Sequence, residues 1–294
     1  TLRDMRRRAV PPDAVAYNAA LGACDRGALA LLEDMERFGV RPDAVTCGAA
    51  VSACARQEQP GRAAEFFADM RRRGVPVSAV AYNAAISACG RAAYLDRALA
   101  LREEMESSGH APNAITYSSL MVGCEEARSW PTAVHLLEAA RRRGVQLDVV
   151  AHTAAVSACS SSHEWERSLS VFADMRRALM QLDVPAFNAA LGACAGAGRW
   201  ERAAGLLEEM RAMALPPTAG SYNAAIQACA AGARGTGRAP ALLGDMRAHA
   251  LQPDAQTFCQ LLCESEGVGH GGGAAALLEG VDELSCADAG AQHG

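Results

Sequence analysis

The sequence contains no lysine, because all 28 of its basic residues are arginines. This absence excludes a lysine-dependent phosphate-binding loop, Schiff-base catalysis and any lysine general base. No apolar run approaches the roughly 20 residues that a membrane-spanning helix needs, since Arg, Asp or Glu interrupts each one. Aromatic residues make up only 5% of the chain, so a core must be built from Ala, Leu, Val, Met and Cys, which favours packed helices.

The 294 residues are 50% hydrophobic and 21% charged, which fits a folded chain and excludes a disordered polymer. The formal net charge of −5 argues against indiscriminate binding to polyanions, although it leaves room for a local basic stripe.

Cysteines mark an internal repeat. Seven of the eleven are separated by 30 and then five times by 35 residues: Cys24, Cys54, Cys89, Cys124, Cys159, Cys194 and Cys229. Stacked helices are separated by roughly 10 Å, which is beyond the reach of a disulfide. We therefore predict buried small hydrophobic side chains in a reducing compartment.

Each period contains two segments with helical apolar spacing, separated by a break such as the Ala-Gly-Ala-Gly of 195–198. The pattern predicts helical hairpins, which stack because one hairpin cannot bury its apolar faces alone. We divide the chain into a partial repeat with only a second helix, seven repeats, and a degenerate C-terminal repeat with a Gly-rich tail: 1–13; 14–43, 44–78, 79–113, 114–148, 149–183, 184–218 and 219–254; and 255–294.

The repeat at 14–43 is five residues shorter than the five repeats that follow it. Cys24 and Met35 are 11 residues apart, whereas Cys194 and Met210 are 16 apart. Five residues exceed one helical turn, so we predict a shortened second helix in this repeat.

Tetratricopeptide repeats have 34 residues, with a Trp, a Leu-Gly and a Tyr in the first helix, which these repeats lack. The chain instead resembles the pentatricopeptide repeat family, with P-type repeats of 35 residues. The resemblance lies in Ala-Tyr-Asn-Ala-Ala-Ile-Ser-Ala-Cys at 81–89, Glu-Glu-Met at 103–105, Arg-Arg-Arg-Gly-Val at 71–75 and Gly-Arg-Trp-Glu-Arg-Ala at 198–203. It implies an all-α fold, a right-handed superhelical solenoid of stacked antiparallel helical hairpins, that binds single-stranded RNA with one base per repeat.

The resemblance also implies that two side chains read each base: the polar residue after the first-helix aromatic and the last residue of the repeat. The predicted pairs are Asn18 with Asp43, Gly48 with Ser78, Asn83 with Asn113, Ser118 with Asp148, Thr153 with Asp183, Asn188 with Thr218, and Asn223 with Asp254. Gly48 has no side chain to read with, so we expect little selectivity there. The alternative interpretation is that these polar residues merely cap helices.

Aliphatic residues near the start of the repeats are expected to stack on bases by the same resemblance: Val15, Val45, Val80, Ile115 and Val150. Arg26, Arg56 and Arg91 are the predicted phosphate contacts, the alternative being solvated helix ends. The later equivalents of the aliphatic residues are Pro185, Gly220 and Gln256, and those of the arginines are Glu126, Ser161, Gly196 and Ala231. We therefore expect both the stacking and the phosphate contacts to weaken toward the C-terminus. In the family's pairing pattern the seven repeats should prefer, from 5′ to 3′, pyrimidine, any base, pyrimidine, G, G, pyrimidine and U.

No catalytic motif is complete. His163 is followed directly by Glu164, and Cys259 and Cys263 are one residue too far apart for a zinc deaminase. We therefore predict no enzymatic activity, no metal and no cofactor.

Two functions remain open. The first is a sequence-selective RNA-binding adaptor in organelle RNA processing, stability, editing or translation, with other RNA-processing proteins as further partners and no membrane or small-molecule substrate. The second is a protein-binding helical scaffold without RNA affinity. The resemblance implies a mitochondrial or chloroplast location. Because the chain opens inside what aligns as a second helix, we expect further residues before Thr1.

Overall fold

The computed structural model describes residues 5, 11–23, 27–56, 60–75, 77–91, 94–232, 238–249 and 251–253. These residues contain fourteen α-helices and no strand. The helices are α1 Ala14–Gly22, α2 Ala28–Arg37, α3 Ala44–Arg56, α4 Pro60–Arg72, α5 Ala79–Arg91, α6 Leu95–Ser107, α7 Ala114–Glu126, α8 Trp130–Arg142, α9 Val149–Ser161, α10 Trp165–Arg177, α11 Val184–Gly196, α12 Trp200–Ala212, α13 Ala219–Ala231 and α14 Ala239–Ala248. The all-α helical-repeat class predicted from the sequence is confirmed.

The chain divides into two compact units, residues 1–158 and 159–294. In the first unit the odd-numbered helices α1, α3, α5 and α7 pack on one another in succession, and α11 packs on α13 in the second. Helices α2, α4, α6, α8, α12 and α14 each contact the odd-numbered helix before them, and α2, α4, α6, α10 and α12 contact the one after. Helix pairs such as α7 and α8 are joined by three residues, which makes each pair a hairpin. We call the odd-numbered helix the first helix of a hairpin and the even-numbered one the second.

Residues that recur at the repeat period form the core. The first-helix aromatics and the second-helix methionines are buried: Tyr17, Tyr82, Tyr117, Phe187 and Tyr222, and Met35, Met70, Met105, Met175, Met210 and Met246. Burying each such side chain contributes about 1.5 to 3 kcal/mol. This gain offsets the entropy lost when the hairpins are ordered.

Five of the seven cysteines predicted to be buried are buried and free: Cys89, Cys124, Cys159, Cys194 and Cys229. Cys47, which was not among them, is also buried and free. Cys24 lies outside the described residues, and only the backbone of Cys54 is described. Burial raises the pKa of Cys47 to about 11 and that of Cys124 to about 12, because an apolar environment disfavours the thiolate. These thiols are therefore neutral at physiological pH, and they pack as small hydrophobic groups.

The first hairpin is shorter than the central ones. Helix α2 has 10 residues, whereas α4, α6, α8, α10 and α12 have 13 each. The shortened second helix predicted for this repeat is confirmed. Helix α1 is also short, with 9 residues, and α14 has 10, which the sequence analysis did not predict.

Candidate nucleic-acid interface

The residue before each first helix caps it. A side-chain oxygen of this residue accepts a hydrogen bond from the backbone N–H three positions later, which satisfies one of the free donors at the helix start. The capping residues, with the acceptor–donor distances, are Asp13 (2.9 Å), Asp43 (2.7 Å), Ser78 (3.4 Å), Asn113 (3.1 Å), Asp148 (2.9 Å), Asp183 (3.0 Å) and Thr218 (3.4 Å).

The fifth residue of the first helix reaches the cap of the next hairpin. This contact brings together four of the predicted reading pairs within the described chain. Asn18 Nδ2 donates to Asp43 Oδ1 at 3.2 Å and Asn83 Nδ2 to Asn113 Oδ1 at 3.4 Å; Ser118 Oγ donates to Asp148 Oδ1 at 3.4 Å and Asn188 Nδ2 to Thr218 Oγ1 at 3.4 Å. Capping and pairing, which the sequence analysis treated as alternatives, thus coexist in one residue.

The structure does not test the other three predicted pairs as contacts, for a different reason in each case. Gly48 has no side chain, and a Cβ added there would lie 3.8 to 3.9 Å from Ala81. Thr153 and Asp183 belong to different units. Within the described residues the Thr153 hydroxyl is buried without a hydrogen-bond partner. Asn223 lies in α13, and Asp254 lies outside the described residues.

The capping carboxylates offer acceptors at this surface. Partial burial acts to raise the pKa of Asp43, but hydrogen bonds from Thr46 and Asn18 outweigh it and hold the pKa below the ordinary value of 3.8. Asp148 uses Oδ1 for both its capping bond and its bond with Ser118. Its Oδ2 accepts no hydrogen bond from any described residue. An ionised carboxylate can only accept, so this oxygen suits a donor from a ligand.

The second residue of each of the first five first helices has an exposed aliphatic side chain. Val15, Val45, Val80, Ile115 and Val150 are each 59 to 72% exposed, although large apolar side chains are stabilised by burial. A repeated exposed apolar position is typical of a binding surface. Pro185 in α11 and Gly220 in α13 occupy the equivalent places and are also exposed.

The predicted phosphate contacts are only partly described. Arg91 ends α5 and is exposed, whereas only the backbone of Arg56 is described and Arg26 lies outside the described residues.

Arginines near the ends of second helices instead pair with acidic residues of the neighbouring second helix. The ion pairs are Arg73 with Glu36, Arg71 with Glu104, Arg143 with Glu106 at 2.8 Å, Arg176 with Glu209 at 3.1 Å, and Arg211 with Asp245 at 3.1 Å. Sequence reasoning missed these pairs. The signal that could have found them is the recurrence of opposite charges 33 to 37 residues apart.

Two further features bear on function. The described residues contain no cluster of three or more His, Cys, Asp or Glu side chains that could hold a metal ion. In the same part of the chain, none of the helices combines the length and the hydropathy needed to cross a bilayer.

Comparison with known proteins points to one family. A family model described as "PPR repeat family" matches residues 77–126, and one described as "Pentatricopeptide repeat domain" matches residues 30–92 and 170–231. Comparison with curated protein sequences finds no match.

Solved structures share the fold. The pentatricopeptide repeat protein PPR10 from maize is 26% identical, with a TM-score of 0.60 over 97% of this chain and 41% of the maize chain. This chain therefore spans about two fifths of the maize protein. The PPR domain of Arabidopsis thaliana protein-only RNase P 1, solved in complex with tRNA, is 16% identical, with a TM-score of 0.53 over 66% of this chain and 95% of that domain.

The family matches, the likeness to the maize solenoid and the recurring hairpins with capped first helices lead to the same assignment. The chain belongs to the pentatricopeptide repeat family.

Proposed function

We propose that this protein is a sequence-selective adaptor that binds single-stranded RNA, with one base for each hairpin and no chemistry of its own. The observation that carries the proposal is the contact between the fifth residue of a first helix and the cap of the next hairpin. It recurs at Asn18, Asn83, Ser118 and Asn188. A row of directional polar pairs flanked by exposed aliphatic side chains suits a row of bases.

In this proposal the exposed aliphatic side chains stack on the base faces and the polar pairs meet the base edges. The Ser118–Asp148 pair gives the sharpest preference. Asp148 presents acceptors, and guanine carries donors at N1 and N2, whereas adenine has no hydrogen on N1. Family membership supports an RNA ligand, and the Arabidopsis domain solved with tRNA indicates that the fold is compatible with one.

The repeat boundaries given above define the order of the bases. The seven repeats would read pyrimidine, any base, pyrimidine, G, G, pyrimidine and U, with the RNA running 5′ to 3′ along the chain. We propose a mitochondrial or chloroplast role in RNA processing, stability, editing or translation, on the basis of the family resemblance.

The competing function is a protein-binding scaffold, and the net charge of −5 is the observation in its favour. Salt separates the two functions. Binding to RNA phosphates releases counterions, so affinity for RNA must fall as salt rises. A titration with a seven-base RNA of the proposed sequence should therefore give weaker binding at moderate than at low salt, and no binding at either would favour the scaffold.

Asp148→Asn tests base reading directly. Asparagine caps a helix as well as aspartate does, so the fold should be preserved. Its amide can donate to adenine N1, so the preferred fourth base should move from G toward A. A change of roughly five- to a hundredfold in the G-to-A affinity ratio is expected for one paired contact, and competition binding measures it. Asp13→Asn is the matched control, because Asp13 caps α1 but belongs to no proposed pair. An unchanged fourth-base preference would contradict base reading by this pair.

A further inference from the structure

We infer that the hydroxyls of Thr116 and Ser221 are positioning groups that set the orientation of the amides of Asn83 and Asn188, and thereby the base preference of those two repeats. This inference rests on the proposed function. Thr116 and Ser221 are the third residues of α7 and α13. Neither belongs to the predicted reading pairs, and both are fully buried.

The shortest polar contact of Asn83 and that of Asn188 is with the hydroxyl of Thr116 and of Ser221, respectively. Thr116 Oγ1 lies 2.6 Å from Asn83 Oδ1, and Ser221 Oγ lies 2.6 Å from Asn188 Oδ1. The contacts of the same asparagines with their caps are 3.4 Å, near the outer limit of a hydrogen bond. The hydroxyl therefore holds the amide more strongly than the cap does.

The hydrogen bonds around Asn83 fix the orientation of its amide. The backbone N–H of Thr116 donates to the side chain of Asn113 at 3.1 Å, so the Asn113 atom there is the acceptor Oδ1. The Asn83 atom that faces it at 3.4 Å is therefore the donor Nδ2, which leaves Oδ1 to accept from the Thr116 hydroxyl; Ser221 meets Asn188 Oδ1 in the same arrangement. The nitrogen Nδ2 is then turned toward the cap and presents a donor there.

The Asn18 pair works differently and serves as an internal comparison. Here the cap is a carboxylate, Asp43, which can only accept, so it draws the Nδ2 of Asn18 toward itself at 3.2 Å. The hydroxyl of Thr46 donates to Asp43 Oδ1 at 2.8 Å. Among the described residues Asn18 Oδ1 is buried without a hydrogen-bond partner. Thr46 completes a capping arrangement like that of Thr116, but it does not hold the reading amide.

In all seven repeats of the sequence, the type of the reading residue is associated with the type of the third residue of the next repeat. Every reading asparagine is followed, at the third position of the next repeat, by Thr or Ser, and every other reading residue is followed by Ala. The asparagine cases are Asn18 with Thr46, Asn83 with Thr116, Asn188 with Ser221 and Asn223 with Thr257; the others are Gly48 with Ala81, Ser118 with Ala151 and Thr153 with Ala186. A capping role alone would not link this residue to the reading residue of the preceding repeat.

A fixed amide gives a defined preference. With Oδ1 engaged by the hydroxyl, Asn83 and Asn188 offer a base the donor of Nδ2. Uracil and cytosine both carry an acceptor, the O2 carbonyl, on C2, whereas adenine has C–H at C2 and guanine an amino donor. The acceptor of adenine is N1, one ring position away from C2. A held asparagine whose Nδ2 faces the C2 substituent therefore selects pyrimidines, and an asparagine free to rotate would accept purines as well.

Thr116→Val removes the hydroxyl at nearly constant shape. In seven-base RNAs that differ only at the third base, the preference for U over A should fall roughly five- to tenfold, part of the range of one paired contact. The preference for G at the fourth base should not change, and Thr116→Ser should restore the third-base preference. Thr46→Val, which removes the equivalent capping hydroxyl, should leave the first-base preference intact.

A second readout does not depend on RNA. The side-chain amide protons of Asn83, followed by ¹⁵N NMR, should exchange with solvent faster in Thr116→Val than in the wild type, whereas Thr46→Val should leave them unchanged. If Thr116→Val does not fold, Ser221→Ala tests the sixth base and Asn188 in the same way. An unchanged third-base preference, or an equal loss at the first base in Thr46→Val, would overturn the inference. If the wild type binds no RNA, the proposed function fails, and the exchange rates alone decide whether the hydroxyl holds the amide.

Discussion

At the scale of single residues, the last residue of a repeat caps the next first helix, and in four hairpins it also contacts the fifth residue of the preceding first helix. An N-cap of Ser, Thr, Asp or Asn stabilises a helix by about 1 kcal/mol relative to Ala. Selection for a stable fold therefore restricts this position to four short polar side chains, and these are the residues that occur at 43, 78, 113, 148, 183 and 218. Changes of base preference within this set should cost little stability.

The turn after the second helix contains a residue with positive φ. Gly39, Gly74, Gly109 and Gly144 fill it in four hairpins, whereas Leu179 takes φ 52° in the fifth. A side chain in this region costs about 1 to 2 kcal/mol, and Leu179 is 91% exposed, so burial recovers none of it. Leu179→Gly should therefore raise the free energy of unfolding by about 0.5 to 1 kcal/mol after the greater chain entropy of glycine is subtracted.

Urea denaturation would measure this change, with Gly144→Leu as the reciprocal control that should lower stability. A loss of stability in Leu179→Gly would mean that the leucine side chain contributes a favourable contact despite its exposure.

At the scale of elements, the turn between the two helices of a hairpin decides how closely neighbouring hairpins approach. Arg128, His163 and Gly198 occupy equivalent turns, all with positive φ. Gly198 sits against neighbouring backbone, since an added Cβ would lie 2.8 Å from Ala231 O. His163 shows that the positive φ of this turn tolerates a β-carbon. The contact with Ala231 O is therefore the reason that position 198 needs glycine.

Gly198→Ala should destabilise the protein by about 2 kcal/mol, because the methyl group would force α12 and α13 apart in addition to the strain of positive φ. His163→Ala, at the equivalent position where a β-carbon is already present, should change stability by less than about 0.5 kcal/mol. Thermal or urea unfolding of the two variants measures the difference. Equal effects would indicate that the backbone near Ala231 relaxes without cost.

The helices could be predicted from the sequence because the buried Met and Tyr residues recur at the repeat period. The five residues missing before Met35 also predicted the shortened α2. It could not decide whether Asp43 caps or pairs, since both uses require the same residue type. It also missed the hydroxyl of Thr116, because its contact with Asn83 depends on how two hairpins pack. Contacts between repeats are set by packing distances, which a residue pattern does not contain.

At the scale of the whole molecule, the buried thiols make the fold sensitive to alkaline pH. The pKa values of Cys47, Cys159 and Cys194 are raised to about 11 and that of Cys124 to about 12, from an ordinary value of 9.0. Above pH 9 the unfolded chain loses these protons while the folded chain keeps them. The contribution to stability is therefore complete below pH 9 and is lost as pH rises toward 11 and 12.

We expect the free energy of unfolding to fall between pH 9 and pH 11 by on the order of 1 kcal/mol per pH unit for each thiol. Urea denaturation in this range measures the slope. Cys124→Ala lowers stability at every pH through the lost packing, but it should also make the slope shallower. A variant with the same slope as the wild type would contradict an ionisation effect of this thiol.

Charges on neighbouring second helices are paired. Arginines near the ends of these helices pair with acidic residues, as in Arg143 with Glu106 and Arg176 with Glu209, so these positive charges are engaged within the fold. Exposed ion pairs of this kind contribute at most about 1 kcal/mol each. The affinity of the proposed RNA complex should accordingly depend on base contacts more than on the net charge.

The contact between the fifth residue of one hairpin and the cap of the next also bears on how such chains evolve and can be rearranged. The cap must stay with the helix that it stabilises. Recombination between a second helix and the following cap therefore places the two members of a pair on different fragments. A crossover in the short turn inside a hairpin also separates them, because Asn83 and Asn113, or Ser118 and Asp148, lie on opposite sides of that turn. Only a crossover in the first turn of a first helix, between the cap and the fifth residue, keeps each pair on one fragment. Shuffled chains joined there should therefore inherit the proposed specificities intact, whereas those joined at either kind of turn should acquire a new one at each seam.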